Sequence, residues 1–315
     1  MSSLSDAYLH DEAAAHEFVE SVLWQDGAHC PHCGGLDRIT KVKANLEKRI
    51  RVGLWRCGDC KKQFTVKVGT DFEDSKIALN LWVQAVVLMT ASKKGISAHQ
   101  LHRTLEVTYK TAWFMEHRIR EAMRSGDLAP FGAGGGIVEV DETFIGHDRT
   151  IKPKHTQKGR GYHHKHKVLS LVDRATGRAR SMVVDALKAA TLVPILRDNI
   201  AKEARIMTDE ASQYAKLAAD FAGHDFVRHG AGEYVNREDS TIHTNTIEGY
   251  FSIFKRGMKG VYQHCGKQHL HRYVAEFEFR YNNRSANGVE DHERARIALG
   301  GAAGKRLMYK DSSLA

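Results

Sequence analysis

The sequence predicts an α/β protein whose main domain follows a cysteine-rich ribbon and a helical segment. Three observations predict it. Two C-x-x-C pairs lie near the start, Cys30-Pro-His-Cys33 and Cys57-Gly-Asp-Cys60. The glycine-rich stretch Pro130-Phe-Gly-Ala-Gly-Gly-Gly136 divides a helical half from a half that begins with strand-like apolar runs. Two of those runs end on a carboxylate, Asp141 and Asp209, and a third acid, Glu248, lies inside a helical stretch.

Residues 11–24 have the spacing of a short amphipathic helix, and residues 1–26 are assigned to it as an N-terminal segment. Residues 27–70 form the ribbon. Two residues between sulfurs let a tight turn aim both thiolates at one ion, and four thiolates complete a closed tetrahedral Zn²⁺ site on Cys30, Cys33, Cys57 and Cys60. With 23 residues between the inner cysteines, the alternative of two redox dithiols is the weaker one. His32 is a bystander when four cysteines are available. Trp55 and Phe64 flank the second pair and are expected to pack the ribbon.

Residues 71–128 read as helical. A helix over 74–90 has Asp74 or Ser75 as its expected N-cap. Two further helices over 97–124 break near Val107-Thr108, a helix-turn-helix pattern with Leu101, Leu105, Val107, Ala112 and Ile119 inside. Thr108, Tyr109, Lys110 and Thr111 open the second helix, where a recognition helix meets base edges and phosphates. Arg103, Lys110, Arg118 and Arg120 favour DNA over the other reading, a plain helical hairpin.

After the 129–136 linker come strands at Ile137–Asp141, Lys167–Asp173 and Ala179–Val184, with turn chemistry at Ala175-Thr-Gly-Arg178. A helix over 191–204, a strand ending at Asp209, a helix from Ser212 to Ala222, a strand around Asp225–His229 and the helix of Glu248 complete residues 137–290. That order is the order of an RNase H-like fold, a fold-level analogy that proves no activity. Residues 291–315 are read as a tail.

In the helix 246–259, Ile247, Tyr250, Phe251, Phe254 and Met258 share a buried face. Glu248 borders that face, and Lys255 lies two turns on, stacked on the same side. Such a pair is usually a surface stripe. Here two other acids end strands that the fold would set side by side, and carboxylates converging there suit two divalent cations bridging a phosphate. Glu139 shares a strand face with Asp141, and Glu142, Glu210 and Asp173 are near, so Glu139 stays open as a substitute or supporting carboxylate. Asp141 is preferred because the strand is expected to give way there.

Composition agrees. The net charge is +9, yet residues 1–29 hold six acids and no Lys or Arg, so the remainder carries that +9 and six more. This is the footprint of a polyanion binder. The stretch Lys152–Lys167 adds Lys152, Lys154, Lys158, Arg160 and Lys165 with four histidines, and is expected to lie on DNA. Four paired cysteines and the odd Cys265 fit a reducing compartment better than a disulfide framework. The acidic start lacks the apolar core of a signal peptide, and the most apolar helix, Leu79–Ala91, is too short to span a bilayer. A cytoplasmic protein with no membrane partner is expected.

The motifs Val138-Glu-Val-Asp141-Glu-Thr-Phe-Ile-Gly146, Thr208-Asp209-Glu-Ala-Ser-Gln-Tyr214 and His243-Thr-Asn-Thr-Ile-Glu248-Gly-Tyr-Phe-Ser-Ile-Phe-Lys255-Arg resemble those of DDE transposases of bacterial insertion sequences. The resemblance is to the ISXO-like group, which carries an N-terminal zinc ribbon and is related to eukaryotic Merlin elements. Leu270–Arg284 resembles that family's C-terminal helix, and the match runs from about Trp24 to Arg284. The resemblance implies Asp141, Asp209 and Glu248 as the catalytic triad holding two Mg²⁺ or Mn²⁺ ions, with Lys255 as basic partner. The family's third position can be Asn; here it is Glu248. It further implies nicking of DNA at the element's terminal inverted repeats, transfer of the 3′-hydroxyl to target DNA, and a homo-oligomer working on nucleoid DNA. Two rival readings are a non-enzymatic DNA-binding protein and an RNase H-like nuclease that cuts without joining.

Overall fold

The structure is a computed structural model that describes residues 5–45, 47–148, 164–215 and 217–308. Residues 152–163 of the basic stretch lie outside the described residues. The chain forms two units, one from Met1–Arg124 together with Val289–Ala315, the other from Ser125–Gly288.

In the first unit, α1 (Glu12–Leu23) starts where the Asp11 side chain accepts the Ala14 amide at 2.7 Å. The ribbon follows as three short antiparallel strands, β1 (Ile39–Lys41), β2 (Trp55–Cys57) and β3 (Gln63–Phe64), in that spatial order. Its small core is Cys30, Cys57 and Phe64, walled by Trp24 and Trp55, whose rings meet edge-on at 5.7 Å. Glu20 of α1 holds the ribbon by two bonds. It accepts from Trp55 Nε1 at 2.8 Å and from Lys41 Nζ at 3.0 Å.

The next helix, α2 (Leu79–Ala91), begins later than expected. Asp74 has a φ of 58°, outside helical geometry, and Ser75 is occupied by the Trp82 indole and the Ile77 amide. Ala78 is the cap residue and gives no side-chain bond. The expected pair of helices is present as α3 (Ala98–Leu105) and α4 (Tyr109–Ala122). Ser97 and Thr108 cap them, and Glu106 at φ 55° makes the turn. Leu101, Leu105, Ala112, Met115 and Ile119 are buried between and beneath them. Arg118 and Arg120 correct the sequence reading. Arg118 donates to the carbonyls of Glu73 and Leu307, and Arg120 is fully buried beside Glu116 at 3.0 Å. They serve this unit's interior, whereas Tyr109 and Lys110 are exposed.

In the second unit, β4 (Ile137–Ile145), β5 (His166–Asp173), β6 (Arg178–Val184), β7 (Arg205–Asp209) and β8 (Gly223–Val227) form one sheet in the order β6-β5-β4-β7-β8. The first three are antiparallel neighbours, and β7 and β8 continue parallel to β4. This is the RNase H-like arrangement. The helix α5 (Ala189–Asn199) covers one face, where Leu192 and Leu196 meet Val138, Val140, Leu169, Leu171 and Ile206. The other face is covered by α6 (Asn245–Gly257) and α7 (Lys267–Asn282). Ile247, Tyr250 and Phe251 pack on Val172 and Ala179, while Phe254, Leu270, Val274 and Phe277 pack on Ile145 and Val168. Between α6 and α7 the chain makes one π-type turn, Met258–Tyr262. The expected helix over 212–222 is two short 3₁₀ turns, Ser212–Tyr214 and Leu217–Ala219. Asp209 Oδ1 takes the Ala211 amide at 3.0 Å, and Tyr214 sinks into the core; both bend the chain away from a regular helix. Among the described residues no helix is long and apolar enough to cross a membrane.

The segment after residue 290 is more than a tail. Its helix α8 (Asp291–Gly300) buries Ala295, Ala298 and Leu299 against α1 and α2, and Arg294 donates to the Thr90 carbonyl at 3.1 Å. Leu299 is fully buried. Leu299→Ala is expected to cost about 2–5 kcal/mol, and a melting curve should show the ribbon-bearing unit unfolding at a lower temperature. An unchanged melt would mean that α8 contributes nothing to that unit.

Candidate functional site

Side chains along a strand alternate between faces, so Glu139, Asp141 and Thr143 face α6 while Val138, Val140 and Glu142 face α5. On β7 the same alternation puts Ile206 with the α5 side and leaves Met207 and Asp209 on the α6 side. The parallel ladder pairs Glu139 with Met207, and two residues further on each strand stand Asp141 and Asp209. The two carboxylates therefore share one face. The strand does not end at Asp141, as the sequence suggested. It continues to Ile145, paired with β5 down to His166. What ends near Asp141 is the pairing with β7, and there the two acids lie where the strands part.

Asp141 is largely enclosed. Burial pushes its carboxyl up to about 8, against the Glu142 amide that donates to it at 2.7 Å; the Glu142 and Asp209 carboxylates push further up, and Lys255 pulls down. Lys255, on α6, is thus within electrostatic reach of Asp141. Glu142 is held from the segment after β7, by Tyr214 Oη at 2.5 Å and Gln213 Nε2 at 3.1 Å. Burial raises the Glu142 carboxyl also, and Asp209 adds to that.

Glu248, in the first turn of α6, has a nearby imidazole. His229 Nε2 lies 3.4 Å from its Oε1, and Thr244 Oγ1 at 3.5 Å. His229 sits in a 3₁₀ turn after β8, and no spacing in the sequence linked it to Glu248. Glu139 is fully buried and engaged on both oxygens. Oε1 takes Arg174 Nε at 2.6 Å, and Oε2 takes the Ile247 amide at 2.8 Å. It is thereby no free ligand.

The four cysteines gather at the ribbon's end, with Sγ atoms 3.6 Å apart for Cys30 and Cys60 and 3.7 Å for Cys33 and Cys57. A tetrahedral ion with metal–sulfur bonds of about 2.3 Å needs sulfurs about 3.8 Å apart. Gly34, at φ 75°, turns the chain between the first pair and the rest, its amide on the Cys30 carbonyl at 2.8 Å. His32 is not in the cluster. Among the described residues this quartet is the one group of three or more whose ligand atoms all lie within 4.8 Å; Asp141, Asp209 and Glu248 do not close that tightly.

The buried acids have a consequence for stability. The Asp141 carboxyl ionises near 4 in an unfolded chain and near 8 in the fold. The native state holds that proton more tightly, so without a divalent cation the second unit loses stability as pH rises from about 4 to about 8. Asp141→Asn should flatten this dependence and melt higher than the native chain at pH 8 without added cation. Mg²⁺ should raise the native melting temperature and leave the variant's nearly unmoved. Equal pH profiles for the two would show that Asp141 is not held neutral.

Two family models match the chain, an ISXO2-like transposase domain over residues 134–282 and a transposase zinc-ribbon domain over residues 10–63. The chain is 30% identical over 287 residues to an uncharacterized protein in transposable element ISH50 of Halobacterium salinarum, a match covering 85% of this chain and 90% of that one. It is 26% identical over 103 residues to an uncharacterized transposase-like protein of Haemophilus influenzae, covering 33% of this chain and 80% of that one. Among solved structures it aligns with a chain of a simian T-cell lymphotropic virus intasome complex over 56% of its length and 67% of that chain's, at 12% identity and a TM-score of 0.27, too slight a likeness to define a fold. The ribbon and the transposase domain follow in the same chain, and the match extends over nine-tenths of the ISH50 protein: the chain belongs to the ISXO2-like, zinc-ribbon-bearing transposases of the IS1595 family.

Proposed function

We propose that this transposase nicks DNA at the ends of an insertion sequence and joins the freed 3′-hydroxyl to target DNA. The observation that carries the proposal is that Asp141 and Asp209 stand on one sheet face, each two residues beyond the last paired position of β4 and β7, with Lys255 of α6 in electrostatic reach. Like charges on one face, one of them largely enclosed, are unfavourable unless a cation or a proton joins them. Hard carboxylate oxygens suit Mg²⁺ or Mn²⁺. Asp141, Asp209 and Glu248 would hold two such ions. Bound there, the ions supply Lewis-acid activation of water or a 3′-hydroxyl and of the scissile phosphate. Lys255 would place its ammonium on a phosphate oxygen, neutralising charge where it gathers in the transfer. His229 would orient Glu248 through its Nε2.

Four thiolates at tetrahedral spacing favour one structural Zn²⁺ on Cys30, Cys33, Cys57 and Cys60. For DNA, α4 offers an exposed first turn, with Tyr109 stacked on His99 at 4.4 Å and Lys110 beside it. That turn would meet the terminal inverted repeats, with the basic surface holding phosphates. The protein would act as a homo-oligomer on nucleoid DNA in the cytoplasm.

Elemental analysis should find about one zinc per chain. Cys57→Ser or chelation should release it and change the fluorescence of Trp24 and Trp55, which wall the ribbon core. A metal-free chain with native fluorescence would remove zinc from the account.

On labelled DNA carrying the element ends, Asp141→Asn, Asp209→Asn and Glu248→Gln should each reduce Mg²⁺-dependent nicking and joining by roughly 10²–10³-fold or more, with DNA binding retained. Lys255→Ala should weaken both steps less. A triad variant that still nicks would move the active site. Nicking without joining of pre-cut ends would make the protein a nuclease.

A further inference from the structure

We propose that Glu139 and Arg174 are positioning residues that set α6 against β4, and so set Glu248 relative to Asp141. The inference rests on the reading above that α6 carries a reacting carboxylate. A helix start leaves amides without internal partners, and a side chain just before it usually accepts one. Here Thr244, at the cap position, makes no such bond. Glu139 does so from another element: its Oε2 accepts the Ile247 amide at 2.8 Å. A carboxylate at that end also meets the positive pole of the helix.

A fully buried carboxylate needs compensation, and Arg174 provides it. Arg174 follows the last residue of β5. Its amide bonds the Ile137 carbonyl at 3.0 Å, which fixes it to the start of β4. Its guanidinium then serves two sides. Nε meets Glu139 Oε1 at 2.6 Å, while Nη1 and Nη2 donate to the carbonyls of Thr241 at 2.5 Å and His243 at 2.6 Å. Nη2 also donates to His243 Nδ1 at 2.9 Å. The segment leading into α6 and the first turn of α6 are thus tied to one strand residue, and that residue stands two places before Asp141 on the same face. No other side-chain bond to a backbone amide in the first turn of α6 originates in the sheet among the described residues.

Partners that orient metal-binding groups typically change metal affinity or activity by roughly 10–100-fold when removed. The test is nicking by the full chain against Mg²⁺ concentration, with hydrogen exchange at residues 245–251. Glu139→Gln removes the charge and keeps the shape. Arg174→Lys keeps the charge and removes the planar fork. Both should raise the half-saturating Mg²⁺ roughly 10–100-fold, keep most of the rate at saturation, and speed exchange at the start of α6. If Glu139→Gln folds poorly, Arg174→Lys reads the same contact. Native Mg²⁺ dependence together with native exchange would overturn the inference. So would Glu139→Gln that is dead at every Mg²⁺ concentration with Arg174→Lys unaffected, for Glu139 would then act on the reacting atoms. Retained nicking by Asp141→Asn would instead sink the underlying reading of the site, a separate result.

Discussion

Along β4, alternate residues face opposite sides of the sheet, and the two sides are chemically unlike. Toward α5 stand Val138 and Val140, fully buried among leucines and isoleucines. Toward α6 stand Glu139 and Asp141. The strand is central, with β5 on one edge and β7 on the other, so none of these side chains can escape by fraying. Each acid must find its compensation within the second unit. Glu139 finds it in Arg174. Burial above all, with the like charges of Glu142 and Asp209 adding to it and the Glu142 amide and Lys255 opposing, leaves Asp141 protonated where other carboxyls are ionised. One strand thus holds, two residues apart, an acid paired with a guanidinium and an acid with no cation bonded to it among the described residues.

Much of this was legible in the sequence. The cysteine spacing announced the quartet, since two short turns are enough to bring four sulfurs together. The strand order after the glycine stretch announced the sheet, because apolar runs of that length have few other uses. Asp141 and Asp209 were legible as neighbours once the strands were placed. Less could be seen of the partners. Glu139 bonds to Arg174 and to the Ile247 amide, 35 and 108 residues away, and no local pattern encodes that. Its burial was invisible because a carboxylate on a strand is normally solvated. The polar run Glu142-Thr143 concealed the continuation of β4 for a similar reason. Glu142 is paired by Tyr214 and Gln213 from beyond β7, so its polarity marks a contact and not an exposed end.

The same lesson holds in the first unit with the sign of charge reversed. Arg118 and Arg120 sit in a helix rich in basic residues and looked like surface charge. Both turn inward, because α4 presents that side to the interior of its own unit and local carbonyls and a carboxylate are there to receive them. Counting cations therefore overstates the surface available to a polyanion, whereas Tyr109 and Lys110 keep to the outside.

The return of the chain as α8 has a consequence for biosynthesis. The ribbon-bearing unit is discontinuous: its first 124 residues are followed by the whole of the second unit before Val289 begins its last portion. On the ribosome, the strands of the second unit can emerge and pair while α1 and α2 still wait for the helix that covers them. Contacts between segments so far apart in sequence form late and slowly. Of the two units, the ribbon-bearing one is thus completed second although its translation starts before the other's, and a chain cut short before residue 291 leaves α1 and α2 without that cover.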